Sequence, residues 1–206
     1  MPTLSKMYVG DRPVARAYLG ADQVWSATPE PLLFDDFERP DGPITGGPIE
    51  YTLLGSGWQI QGGRAVSTSN TWANELAIAE VPGGAQDYTV RAVIHPGPDL
   101  HYIELSARCV DGSTMILGGL VWSAPWNAHL AMVSNGSTTM GSQPVSSLPE
   151  SFTMELTVQG NMTSLAMDGE LLVEPTELPA GAPSGTGAGL VAIGNHAFEE
   201  WGVYRV

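Results

Sequence analysis

Along much of this chain apolar and polar residues alternate singly, the period of a strand with one buried face. Residues 88–94 put Tyr88, Val90, Ala92 and Ile94 on one side and Thr89, Arg91 and Val93 on the other. Phe152, Met154, Leu156 and Val158 repeat the pattern. Apolar-rich runs at 102–109, 114–122 and 126–134 follow one another closely, joined by Asp111-Gly112 and Ser123-Ala124-Pro125, and predict a meander. Gly62-Gly63 between 58–61 and 64–67, and Asp168-Gly169 between 162–167 and 170–173, predict two-residue hairpins, because these residues tolerate the positive φ of type I′ turns. Further strands are expected at 33–37, 75–81, 190–193 and 198–206, about a dozen in all, with no convincing amphipathic helix.

The first 25 residues state one unit twice. Tyr8-Val9-Gly10-Asp11-Arg12-Pro13-Val14 is echoed by Tyr18-Leu19-Gly20-Ala21-Asp22-Gln23-Val24, and Trp25 closes the second copy. Each copy reads as strand, turn and return. A lone two-stranded ribbon is marginal in water, so the segment needs a partner surface. That surface is either the rest of the chain, with Tyr8, Tyr18 and Trp25 folded back on it, or another protein. The Pro-containing linker that follows favours the second, so residues 1–26 are expected to dock with Tyr8, Val9, Tyr18, Leu19, Val24 and Trp25 at an assembly interface. Residues 27–31 carry two prolines and suit a stiff linker. Residues 32–206 form the main body. The spacing predicts an all-β body, an antiparallel two-sheet sandwich or jelly roll, behind a small N-terminal β-hairpin motif. Blade-length repeats, which a propeller needs, are absent.

Composition sharpens this picture. Of 206 residues only 15% are charged, while glycine (25) and proline (16) are abundant, as many short strands and tight turns require. The formal charge of −14 argues against a nucleic-acid partner, since an acidic surface repels phosphate. One cysteine, Cys109, excludes an intrachain disulfide and sits in an apolar run, so a buried small hydrophobe is expected. No basic-then-apolar leader opens the sequence, and no apolar run approaches the ~18 residues of a membrane span. No membrane insertion is expected.

Chemistry is sparse. No Gly-x-Ser-x-Gly elbow or two-histidine metal spacing is present among His95, His101, His129 and His196, so no metal and no cofactor are expected. The pairs Asp35-Asp36 and Glu199-Glu200 could meet if the terminal strands pair. Edge charges capping turn amides and a calcium site are the alternatives there, with catalysis a third. Aromatic residues in polar company offer a stacking surface for sugar rings. Trp72 with Asn74, and Trp126 with Asn127, are the carbohydrate-binding candidates, whereas Trp58, Trp122 and Trp201 sit in strand context and are expected in the core.

Two stretches carry a resemblance. Phe34-Asp35-Asp36-Phe37-Glu38-Arg39-Pro40-Asp41-Gly42 with Gly57-Trp58, and the closing Gly189-Leu190-Val191-Ala192-Ile193 and Phe198-Glu199-Glu200-Trp201-Gly202-Val203-Tyr204, resemble the ends of concanavalin A-like and laminin-G-like jelly rolls. That resemblance implies that the first and last strands lie side by side. Hydrolases of this group write Glu-x-Asp-x-x-Glu on one strand, and no such triplet occurs here. The Tyr-Leu-Gly-x-x-x-Val-Trp segment after its Tyr-Val-Gly-Asp copy resembles the N-terminal segment of minor tail proteins in phages of actinobacteria, some of which carry a concanavalin-like module behind it. The two halves in this order imply a non-enzymatic virion tail component, assembled in the host cytoplasm in multiple copies beside other tail proteins, whose jelly roll contacts the host surface or its glycans. The alternative is a free carbohydrate-binding module or lectin.

Overall fold

The computed structural model describes residues 30–206 apart from 56, 69–74, 99–100, 124 and 135, together with the backbone of four short strands ahead of them. Strand β1 (Tyr8–Val9) pairs with β2 (Arg12–Pro13), and β3 (Arg16–Leu19) with β4 (Asp22–Ser26), both antiparallel. Tyr8 faces Pro13 and Val9 faces Arg12; ten residues on, Tyr18 faces Gln23 and Leu19 faces Asp22. The sequence repeat is thus a repeat of register. Among the described residues neither ribbon shares a ladder with any other strand.

The body holds sixteen further strands among the described residues. They are β5 (Pro31–Asp35), β6 (Gly42–Pro43), β7 (Thr52–Leu54), β8 (Trp58–Ile60), β9 (Ala65–Ser67), β10 (Glu75–Glu80), β11 (Tyr88–His95), β12 (Tyr102–Asp111), β13 (Thr114–Trp122), β14 (Trp126–Ser134), β15 (Ser137–Val145), β16 (Phe152–Gln159), β17 (Met162–Met167), β18 (Glu170–Glu177), β19 (Gly187–Ile193) and β20 (Ala197–Arg205). One sheet runs β15-β14-β13-β12-β19-β10-β7. The other runs β18-β17-β16-β11-β20-β9-β8-β6, with β5 also on β20, and every pairing is antiparallel. β15 and β18 meet along one side of the sandwich.

The expected neighbouring of first and last strands holds: Phe34 faces Gly202 and Asp35 faces Trp201. The strand is displaced from expectation, however, starting at Pro31 and stopping at Asp35. Asp35 ends it. Its carboxylate is fully buried and accepts from the Phe37 amide at 2.9 Å, from Arg39 Nη1 at 2.6 Å and from Tyr51 OH at 3.2 Å. Phe37 is thereby turned to φ 55°, out of the strand. A buried carboxylate is tolerable only with such partners. Burial first, and then the Asp35 charge, push the Tyr51 phenol far above its ordinary value, so it stays a donor.

Alternating side chains fill the space between the sheets. Val90, Ala92 and Ile94 from β11 and Leu156 from β16 meet Ile103 and Leu105 from β12 and Leu190 from β19, all buried. Gly118 allows the close approach: a Cβ there would stand 2.7 Å from Leu156 Cδ1 of the opposite sheet. Trp58 and Trp201 lie in this core as expected. Trp122 does not, being 41% exposed at the rim.

A buried polar knot joins the two sheets. β12 bulges at Arg108, a non-glycine residue at φ 49°. Its amide donates to Tyr88 OH at 2.7 Å, and that hydroxyl donates to the Gly187 carbonyl at 3.1 Å. The Arg108 guanidinium reaches Gln86 O at 3.0 Å, Gly160 O at 2.7 Å and Asp87 Oδ1 at 3.2 Å. Replacing Tyr88→Phe strands a buried amide and a buried carbonyl together. Loss of about 2–4 kcal/mol is expected in urea unfolding, whereas a loss below about 0.5 kcal/mol would contradict the knot's role.

Candidate functional site

The outer face of the seven-stranded sheet is built in cross-strand rows. Because directly opposed residues share a face, Val191, Glu104, Gly119, His129 and Ser142 form one row across β19, β12, β13, β14 and β15. Ile193, Tyr102, Val121, Asn127 and Pro144 form the next. On the other side lie Gly189, Ser106, Leu117, Ala131 and Thr139. The face therefore grades from polar to apolar, where Leu76, Cys109, Met115, Leu117, Ala131 and Val191 make a second hydrophobic cluster.

The polar end is organised around Glu104. Its side chain is only 6% exposed, and its Oε1 is hydrogen-bonded to His129 Nε2 two strands away. Gly119 lies between them in the row. A Cβ at 119 would stand 2.9 Å from Glu104 Cβ and 2.2 Å from the Ile103 carbonyl, so the missing side chain opens the path between the two groups. The pair lies beside a hollow of about 360 Å³ whose walls include Tyr102, Ser123, Asn127, His129 and Ser142. Asn127 Nδ2 donates to Ser123 Oγ and, at 3.2 Å, to the Pro125 carbonyl, which fixes the amide at the turn between β13 and β14. Such a hollow supplies directional donors and acceptors on rigid strands, suited to a small polyhydroxyl ligand.

The residues singled out in the sequence fall in different places. Asn127 lines this hollow. Trp126 is 5% exposed and packs edge-on against Trp122, ring centres 5.3 Å apart, so the exposed indole of the pair is Trp122. Trp72 and Asn74 lie outside the described residues, as do the side chains of Tyr8, Val9, Tyr18, Leu19, Val24 and Trp25. The terminal acids separate. Asp35 is consumed by Arg39, whereas Asp36, Glu199 and Glu200 do border a common hollow of about 250 Å³ with Arg64. There Asp36 accepts from the Glu38 amide at 3.1 Å, the turn-capping alternative. Glu199 accepts from His95 at 2.6 Å and Arg64 at 3.2 Å, and the His95 hydrogen bond leads the effects holding its carboxyl below the ordinary range. Among the described residues no three His, Cys, Asp or Glu side chains converge as metal ligands.

Glu104 and Tyr102 stand in no motif that marks them as site residues. The available signal was the alternation Tyr102-x-Glu104-x-Ser106 on a strand, which places all three on one face. What links Glu104 to His129 is register across two strand pairs, which single-residue alternation does not carry.

No protein-family model matches the chain, and no curated protein does. Solved structures match its fold. Carbohydrate binding module CBM66 from Bacillus subtilis superposes with a TM-score of 0.58 at 13% identity, over 81% of this chain and 98% of that one. The endo-β-1,3(4)-glucanase SCLam of family GH16 gives 0.58 at 10% identity, over 85% and 91%. Galectin LEC-6 from Caenorhabditis elegans gives 0.50 at 11% identity, over 62% and 89%. The chain has the all-β, two-sheet antiparallel jelly-roll architecture of these proteins. At such identities the likeness is one of fold.

Cys109, on the apolar end of the same face, is buried as expected, and burial pushes its thiol up to about 12. Since the thiolate is the reactive form, native protein at pH 8 is expected to resist a disulfide-exchange reagent and to yield roughly one thiol per chain after denaturation. Rapid native labelling would show that this end of the face is open.

Proposed function

We propose that this chain is a non-catalytic structural component of a phage tail, a minor tail protein held by residues 1–26 and presenting its jelly roll outward to host-surface glycans. The observation that carries the reading is the pair of N-terminal ribbons. They share one register, ladder only with themselves among the described residues, and precede a sandwich that is already two full sheets. Ribbons of this size gain stability chiefly from a surface to lie on. The resemblance of this segment to tail-protein N-termini supports the same assignment. Other tail proteins and further copies of this chain are the partners it implies, with assembly in the host cytoplasm.

Glycan contact is assigned to the hollow beside Glu104 and His129. Tyr102 offers aromatic surface in its wall, while Asn127, His129 and Ser142 offer polar groups. Hydrolysis is the weaker reading. Glycoside cleavage uses two carboxyl groups about 5–9.5 Å apart, and the three rows hold one, Glu104. The binding module and galectin among the fold neighbours, by their names a carbohydrate binder and a lectin, support the free-lectin alternative equally.

Two measurements test the proposal. Chain lacking residues 1–26 is expected to keep its unfolding transition and to be missing from purified particles, as read by immuno-electron microscopy. Incorporation at the normal level would overturn the docking assignment. On a glycan array the full chain is expected to bind, and His129→Ala to weaken binding roughly tenfold, the worth of one or two polar contacts. An unchanged array profile in His129→Ala would move any glycan site away from this face.

A further inference from the structure

A second cleft of the described body lies away from the polar hollow. It opens where β7, the last strand of the seven-stranded sheet, stands beside β5 of the other sheet, and its volume is about 510 Å³. Leu33 from β5, Leu54 from β7 and Val110 from the end of β12 line it, with Glu50, Glu80 and Asp111 also at its wall. Leu54 is 39% exposed and Val110 61%, and all three acids are exposed. Asp111 is held ionised to lower pH than usual, first by the Ser113 amide that it caps. Among the described residues β7 ladders only with β10, which leaves its other edge without a strand partner there. The cleft is thus an apolar slot with an anionic wall along that strand edge, a combination that fits a basic, aromatic β-segment.

The chain contains such a segment. Lys6, Arg12 and Arg16 are three of its eight cations and fall among the first 26 residues, against two acids, Asp11 and Asp22. That stretch is net positive, while residues 30–206 carry five arginines and twenty acids, a net −15. It also bears Tyr8, Tyr18 and Trp25. Its own body is a poor target. Thr28 and Glu30 each precede a proline, which biases both toward extended backbone. The chain enters β5 at Pro31, only two residues before Leu33 in the cleft wall, so self-docking would require a sharp reversal in the stretch that resists one.

We propose that this cleft receives the N-terminal ribbon segment of a second copy of the chain, giving a head-to-tail contact. The inference rests on the docking role of residues 1–26 and names their receptor. A head-to-tail contact uses two different patches and closes into a ring or propagates, which suits copies repeated around a tail.

Sedimentation velocity on the full chain in low salt tests it. Wild type is expected to self-associate with concentration, and added salt to weaken the contact by screening the rim charges. Val110→Asp, at an exposed position, is expected to weaken association roughly tenfold or more, with an unchanged unfolding transition as the control for folding. Arg12→Glu with Arg16→Glu is expected to weaken it too, and Glu50→Arg with Glu80→Arg to restore association in that background. A chain monomeric at about 100 μM, the upper range of a weak contact, or association indifferent to Val110→Asp, overturns the proposal. If the chain is monomeric yet deletion of residues 1–26 still removes it from particles, this inference falls and the tail assignment stands.

Discussion

The bulge at Arg108 fixes how the two halves of the sandwich sit on one another. Apolar packing alone lets two sheets slide by small steps, because dispersion is non-directional. Hydrogen bonds from one bulged residue to Tyr88, Gln86 and Gly160 have little such freedom. They anchor β12 against β11 and the turn between β16 and β17. Since β12 also supplies Tyr102 and Glu104, the knot that sets the core sets the position of the polar rows on its outer face. A left-handed arginine is the local cost, offset by the bonds that its backbone and side chain make.

Two adjacent glycines divide the work of β13. Gly118 faces inward and makes room for Leu156 from the opposing sheet; Gly119 faces outward and makes room for Glu104 beside His129. One strand thereby brings the sheets close and opens a polar pairing on the solvent side. The recognition chemistry proposed for this face follows from that arrangement. His129, held by the buried Glu104 carboxylate, is the member of the pair that reaches the wall of the hollow.

Much of the fold was legible because most body strands bury one face. The alternation at 88–94 and 152–158 became β11 and β16, and Asp168-Gly169 became a turn with φ of 52° and 80°. β15 was not expected. Its sequence, Ser137–Val145, is polar and mostly exposed, so it lacks the periodic apolar signal and is held by its ladder to β14. β6 and β7 are two and three residues long, too short for any period to emerge. The tryptophans were misread for a related reason. Trp122 ends an apolar run and Trp126 stands beside Asn127, yet which of them is covered depends on the rim of the sandwich rather than on neighbours in sequence. The N-terminal repeat was the clearest signal, since its ten-residue spacing reappears as identical pairing.

β15 and β18 are the last strands of their sheets on the side where the sandwich halves meet, and each contains a proline, Pro144 and Pro175. Proline withholds a ladder donor, and the surrounding Ser, Thr and Glu residues keep these borders hydrated. Identical molecules crowded at high local density therefore find no template for zipping together along that flank. Fusion into amyloid-like stacks is discouraged there by the covalent structure of the rim itself, before any chaperone or spacing by a larger scaffold is considered.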